Sequence, residues 1–487
     1  MRIVIVGAGR TGTQLARHLI KEKHDVSLIE SNEERARHAS NRLDCLVLHD
    51  GGNSLAALEE AGIAKADALV CVTESDEVNM IICGLAASRH PGLLKIARVR
   101  NDDYVRLNQH ALPDQRIMGI DYFIHPDVEA AREVLRALSH GALGNVLDFS
   151  GTSYELGSIN VAEGSSFDGF RINDYHSLVR EASLVTLVER ETASSRDFII
   201  PRGSTVLKKG DRIHILAQKD RIEHIFSLAG RHEKPLRRVG IVGGGHLGTL
   251  IAEGLLQYSS AGKDQTEKKR GGIFSLFRSF MPRSSRRVIM VEQNYEVCKS
   301  LAARFPEALI LNQDISDESF IAEERLGDLD LIITATANQE LNIIAAIYLK
   351  SRGVRRAIAL VNGSGHETIA RKLGVDVVIP MQSVVVDSIL SNLMGKSIWG
   401  VHRLGDGTLG ILELTIGEDS PAVKKAITEF GLSEGGLVVL VSRGGASFIP
   451  QGDYVFDAGD KIVLIAKDSS EAELEKFFGP VKPAGGA

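Results

Sequence analysis

Ile3-Val4-Ile5-Val6-Gly7-Ala8-Gly9-Arg10-Thr11-Gly12 decides the fold: an apolar run leads straight into a glycine-rich turn. Val239-Gly240-Ile241-Val242-Gly243-Gly244-Gly245-His246-Leu247-Gly248 repeats the pattern 236 residues later. A second echo lies downstream of each copy. Ile200-Pro201-Arg202-Gly203, continuing to Gly210-Asp211-Arg212-Ile213, recurs as Ile449-Pro450-Gln451-Gly452 and Gly459-Asp460-Lys461-Ile462, offset throughout by 249. Two different modules in the order A-B-A-B fix the architecture before any local reading.

Around the first glycine run, apolar stretches at 3–6, 26–29, 45–48, 68–72 and 94–99 alternate with helical patterns such as Thr11–Lys21 and Glu33–Asn41. That rhythm predicts βαβ units around a parallel sheet covered on both faces. Residues 144–228 change character, with strand-like runs at Ser183–Val188 and Arg212–Ala217, a helical pattern near Ile172–Val179, and Gly- and Pro-containing turns. The expected class is α/β: two Rossmann-like, doubly wound parallel-sheet domains, at 1–124 and 237–381, each followed by a small α+β domain, at 144–228 and 399–482. The shared P-x-G-x6-G-D element reads as a hairpin with Gly210-Asp211 and Gly459-Asp460 at the turn, and neither aspartate is given a chemical role.

The glycine run carries the first chemistry. Gly7 permits the tight turn, Gly9 the approach of a pyrophosphate, and Gly12 close helix–sheet packing; Ala8 and Thr11 complete the loop. Helix N–H groups then face the phosphates. Arg10 adds a cation within reach of a terminal phosphate. Glu30 ends the second strand eighteen residues after Gly12, where an acid binds ribose hydroxyls and repels a 2′-phosphate, so NAD is expected over NADP. Thr73 and Glu74 follow the fourth strand and face the crevice at the carboxyl ends of the strands. Asp76 and Glu77 read rather as first-turn acids of a helix. Arg98, in or just beyond the fifth strand, needs a phosphate or a carboxylate to offset its burial. Asp50 is either an adenine-side contact or a turn residue.

In the second copy Glu292 ends the second strand, 44 residues after Gly248. The excess over the first copy matches a basic insertion at 260–286, where Lys263, Lys268, Lys269, Arg270, Arg283 and Arg286 flank the largely apolar Ile273–Phe280, itself interrupted by Arg278. That segment is either a surface for anionic lipid headgroups or a loop with a local cluster. His246 stands where the first copy has Arg10, and Leu360 and Asn362 stand for Arg98 and Arg100. The second site, Gly243–Gly248 with Glu292, is therefore expected to be weaker for polyphosphates.

The full chain is long enough for three or four domains, and its 44% hydrophobic and 25% charged residues describe a globular protein. A net charge of −6 argues against general nucleic-acid binding. Cys45, Cys71, Cys83 and Cys298 lack CxxC spacing and fit buried thiols of a reducing compartment. No signal peptide and no spanning apolar window stand out. The histidines show no paired helical spacing, so no metal site is expected, and no nucleophile with a neighbouring base is evident.

With these motifs together, the chain resembles the TrkA family, cytoplasmic peripheral subunits of bacterial Trk potassium-uptake systems. The likeness covers essentially the whole chain and rests on the A-B-A-B order, Gly7–Gly12, Glu30, Val72–Asn79, Ile96–Arg100 and both P-x-G-x6-G-D elements. The resemblance implies two regulator-of-K+-conductance (RCK) units, each a Rossmann half followed by a small C-terminal half. It implies a non-enzymatic ring, a homotetramer, beneath a TrkH- or TrkG-like membrane channel subunit. NAD+ or NADH, or ATP and ADP, would bias that ring and gate potassium flux. The competing reading is an NAD-dependent dehydrogenase whose substrate domain is the second module. The duplicated small domain without an evident acid–base residue argues against it.

Overall fold

In a computed structural model the chain forms two compact units, Met1–Gly144 with Pro235–Leu393, and Asn145–Lys234 with Met394–Ala487. The structure describes residues 1–109, 116–139, 146–149, 152–179, 182–191, 196–230, 236–260, 287–393, 398–404, 409–430, 436–467 and 478. Beyond Ser260 the basic insertion lies outside them.

In chain order, the first copy contains β1 (Arg2–Val6), α1 (Arg10–Lys21), β2 (Asp25–Glu30), α2 (Glu33–Ser40), β3 (Leu46–His49), α3 (Leu55–Glu60), β4 (Ala68–Cys71), α4 (Asp76–Arg89), β5 (Leu94–Arg98), α5 (Asp102–Gln109), β6 (Tyr122–Ile124) and α6 (Pro126–Ser139). The small module adds β7 (Val146–Asp148), β8 (Tyr154–Asn160), α7 (Tyr175–Leu178), β9 (Ser183–Glu191), β10 (Arg196–Ile199), β11 (Arg212–Gln218) and α8 (Ile222–Leu228). The second copy runs through β12 (Arg238–Val242), α9 (His246–Ser260), β13 (Arg287–Glu292), α10 (Tyr295–Arg304), β14 (Leu309–Asn312), α11 (Glu318–Glu323), β15 (Leu331–Thr334), α12 (Gln339–Ser351), β16 (Arg356–Val361), α13 (Ser364–Lys372), β17 (Val377–Pro380) and α14 (Met381–Leu393). The last module holds β18 (Ile398–Leu404), β19 (Leu409–Thr415), β20 (Gly436–Arg443), β21 (Ala446–Phe448) and β22 (Lys461–Lys467).

In the first unit, β3-β2-β1-β4-β5-β6 and β14-β13-β12-β15-β16-β17 are two parallel sheets of the same order. The order reverses at β1 and at β12, the switch point at which such sheets bind ligands. β4 and β15 are buried along their whole length, as strands covered on both faces must be. The sixth strand, only three residues in the first copy, is too short to stand out in the sequence.

The last helix of each copy is shared with the other. α14 places Val385, Val386, Ile389 and Leu393 in the cluster of Ile3, Ile5, Leu15 and Leu19. α6 places Val128, Ala131, Val134, Leu135 and Leu138, a helical i, i+3, i+4 series, in the cluster of Ile241, Leu250, Ile251 and Leu255. α6 packs on both α9 and α14, and α14 also on α1.

The second unit contains two antiparallel sheets, β10-β9-β11-β8-β7 and β18-β19-β22-β20-β21. They share a core in which Phe149, Leu156, Leu187 and Leu216 meet Ile411, Val439, Leu440 and Ile465. The expected hairpins do not form. β10 and β11 lie on opposite sides of β9, as β21 and β22 do with respect to β20, because the connecting segment crosses the middle strand. Gly210 and Gly459 still turn the chain, at φ +85° and +87°. Their neighbours are buried anchors: Asp211 accepts from Arg190 at 2.8 and 2.6 Å, and Asp460 from Arg443 at 2.7 Å twice. Burial alone would raise the Asp460 carboxyl; hydrogen bonds from Arg443, the Asp457 amide and Tyr454 hold it below its ordinary value.

Candidate functional site

The first site grows from the end of β1. Gly7 has φ +106°, and a Cβ there would stand 3.1 Å from the Thr73 amide nitrogen, so handedness and proximity both require glycine. A Cβ on Gly12 would lie 1.9 Å from the Gly7 carbonyl oxygen, which presses α1 onto the turn. Gly9 differs: a Cβ would meet nothing within 4 Å. No protein atom nearby requires that glycine, and the space over its backbone is open. The first turn of α1 has no side-chain cap and no acidic residue, leaving its N–H groups and positive dipole end for an anion. Arg10, the first residue of α1, is exposed, and Thr11 is partly buried behind it.

Glu30 ends β2 under this loop and is buried. Its Oε2 accepts the Ala8 amide at 2.6 Å and its Oε1 the Asn32 amide at 2.9 Å. The Ser31 hydroxyl also donates to Oε1, at a long 3.5 Å. The carboxylate therefore fastens the glycine loop to the start of α2, and Oε2, with one donor, has a second lone pair that a hydroxyl could use. Asp50 follows β3, exposed, with Oδ1 accepting the Gly51 amide at 2.6 Å.

Across the switch point, Thr73 is held by Asn79, which the sequence offered only as the end of the Val72–Asn79 stretch. The Thr73 amide and hydroxyl donate to Asn79 Oδ1 at 2.9 and 2.7 Å. Asn79 Nδ2 donates to the carbonyls of Thr73 and Arg98 at 3.2 and 2.8 Å. This fully buried amide thus ties the ends of β4 and β5. Its signal was the match between Asn79 and Asn342 in the two copies. Arg35 is the other residue the sequence did not single out. It pairs with Glu74 at 3.2 Å, linking the segments after β2 and β4 over the end of β1.

Arg98 is half-buried and reaches only the Thr73 carbonyl, at a long 3.5 Å. It enters no salt bridge among the described residues. Burial, with help from Arg100, pulls its guanidinium below the ordinary value, so an anion at this place would relieve a real cost.

The second copy keeps the scaffold. Gly243 has φ +105°, a Cβ on Gly248 would meet the Gly243 carbonyl oxygen at 1.9 Å, and one on Gly245 would meet nothing within 4 Å. Glu292 accepts the amides of Gly244 and Asn294, each at 2.7 Å, despite the longer separation in sequence. A Cβ on Gly244 would lie 2.6 Å from Leu301 Cδ1, a close fit that the first copy, with Ala8, does not have. Asn342 holds Thr336 and the Leu360 carbonyl as Asn79 holds Thr73 and Arg98. Leu247 lies partly buried behind the loop. What differs is charge: His246 opens α9, and Leu360 is buried where Arg98 stands in the first copy.

Family models agree with this duplication. The TrkA-N domain matches residues 3–126 and 275–380, and the TrkA-C domain matches 156–230 and 411–479. The chain belongs to the TrkA family. It is 29% identical to the Trk system potassium uptake protein TrkA of Halomonas elongata, over 98% of both chains. It is also 29% identical to a TrkA homolog of Archaeoglobus fulgidus, over 98% of this chain and all of that one. Among solved structures, the GsuK channel bound to NAD has the same fold, with TM-score 0.54 and 18% identity over 98% of this chain and 78% of that one. TrkA-N thus corresponds to the two parallel sheets and TrkA-C to the two antiparallel ones. No helix among the described residues is long and apolar enough to cross a membrane.

Proposed function

We propose that the chain is a nucleotide-sensing, non-enzymatic regulatory subunit that gates a Trk-type potassium channel or transporter from the cytoplasmic face of the cell membrane. NAD+ or NADH occupies the first site, on Gly7–Gly12, Glu30, Asp50, Thr73, Glu74 and Arg98, and ATP or ADP competes there. The second site, on Gly243–Gly248 and Glu292, binds polyphosphates more weakly. The partner is a TrkH- or TrkG-like membrane subunit, and the working assembly is a homotetramer.

One observation carries this reading: Arg10 opens an uncapped helix whose preceding Gly9 faces empty space, Arg98 stands at the carbonyl of Thr73, the residue that adjoins the Gly7 turn, and neither arginine has an ion-pair partner among the described residues. The names of the relatives and the like fold of the GsuK channel bound to NAD support it. A nucleotide shifts a gating equilibrium only by its differential affinity for the two states, and a tenfold shift needs about 1.4 kcal/mol. One charged contact supplies that. The test is potassium flux into liposomes holding the membrane subunit and this protein, with each nucleotide added in turn. NADH and ATP are expected to change flux unequally, and Arg98→Ala to compress the difference. Equal flux with every nucleotide and with none would refute the regulatory reading.

A further inference from the structure

Asp102 at the start of α5, His125 just before α6, and His246 at the start of α9 are scattered in sequence and meet in space. Asp102 Oδ1 stands 3.3 Å from His125 Nε2 and 3.4 Å from His246 Nε2, and the three atoms lie within 4.8 Å of one another. That carboxylate oxygen is buried without a hydrogen-bond partner, a costly state that calls for a cation or a donor. His125 is 2% exposed, whereas His246 opens to solvent.

We propose that Asp102, His125 and His246 form a site for one divalent transition-metal ion of the zinc class, joining the first Rossmann copy to the glycine loop of the second. A tetrahedral ion with ligands at roughly 2.05 Å has ligand–ligand edges of about 3.3 Å, the length of both Asp–His separations. Two imidazoles and one carboxylate suit zinc, cobalt or nickel; calcium and magnesium want oxygen alone. The solvent side at His246 leaves water to complete the shell.

Loading the site has a mechanical consequence. His125 Nε2 lies 2.7 Å from the Arg100 carbonyl, to which it donates in the metal-free state. Ligation at Nε2 moves the remaining ring proton to Nδ1, which faces the Val128 amide at 3.4 Å. The ion must therefore turn the ring or shift the first turn of α6, at some cost in affinity. Because α6 packs on α9 and α14, that shift reaches both copies. The bound ion also restores to the second loop a positive charge where the first has Arg10.

The test uses the full chain, stripped with a chelator and titrated with Co2+ and then Zn2+, without nucleotide, so its failure leaves the gating reading untouched. Wild type is expected to bind one equivalent of Co2+ with the visible absorption of a tetrahedral complex, bleached by Zn2+. His246→Ala and Asp102→Asn should each weaken binding at least roughly tenfold. Melting in chelator should be unchanged for His246→Ala, whose side chain is partly exposed, and this separates ligand loss from misfolding. Affinity should rise with pH, since ligation releases a proton. Absence of the visible band in wild type, or equal binding by wild type and both variants, would overturn the site.

Discussion

At the residue scale, Glu30 shows what spacing conveys and what it leaves out. Its distance from Gly12 placed an acid at the end of the second strand, and the structure puts it there. Spacing did not reveal that both carboxylate oxygens already accept backbone amides, from Ala8 and Asn32. Glu30 is therefore a loop anchor as well as the proposed ribose contact. Glu30→Ala leaves the Ala8 amide buried and unpaired, which should lower unfolding free energy by about 1–3 kcal/mol. NADH binding should weaken while the penalty for NADPH shrinks, because the carboxylate facing a 2′-phosphate is gone. Calorimetry with both nucleotides, beside denaturant melts, checks the two effects separately. Wild-type protein that binds NADPH as tightly as NADH would remove the selectivity role and leave the anchor.

At the element scale, the close approach of α6 and α9 makes a specific demand. Gly254 lies in α9, and a Cβ there would stand 2.3 Å from Leu135 Cδ1 and 3.1 Å from its Cγ. Leu135 is 3% exposed and has no room to swing away. Gly254→Val should therefore overpack the seam at about 1–3 kcal/mol, outweighing the few tenths to ~1 kcal/mol that removing a mid-helix glycine returns. A lower denaturation midpoint is the expected result; a raised one would mean that helix propensity prevails and the seam is loose. Helix positions were legible from periodicity in α1 and α2. The crossing of β9 by the P-x-G-x6-G-D segment was not, because strand pairing depends on which edge is free rather than on the turn residues alone.

At the scale of the whole molecule, the sequence alternates A-B-A-B while the compact units gather A with A and B with B. The exchange of α6 and α14 enforces the first grouping, since α14 supplies Val385, Ile389 and Leu393 to the core around Ile3, Leu15 and Leu19. A fragment of residues 1–234 lacks that cover. It is expected to aggregate or to bind a hydrophobic dye strongly, and co-expression with residues 235–487 should suppress both. A monodisperse fragment without dye binding would show that the first copy closes its own core.

The sequence by itself determined the duplication, the parallel sheets and the two glycine loops with their acids, because strand and helix periodicities and glycine turns are local properties of the chain. Tertiary structure alone decided which copy lends its last helix to which sheet, that Asn79 ties two strand ends, and that Asp102, His125 and His246 converge. Those meetings depend on which buried faces fit together once the elements exist, and no spacing along the chain encodes that fit.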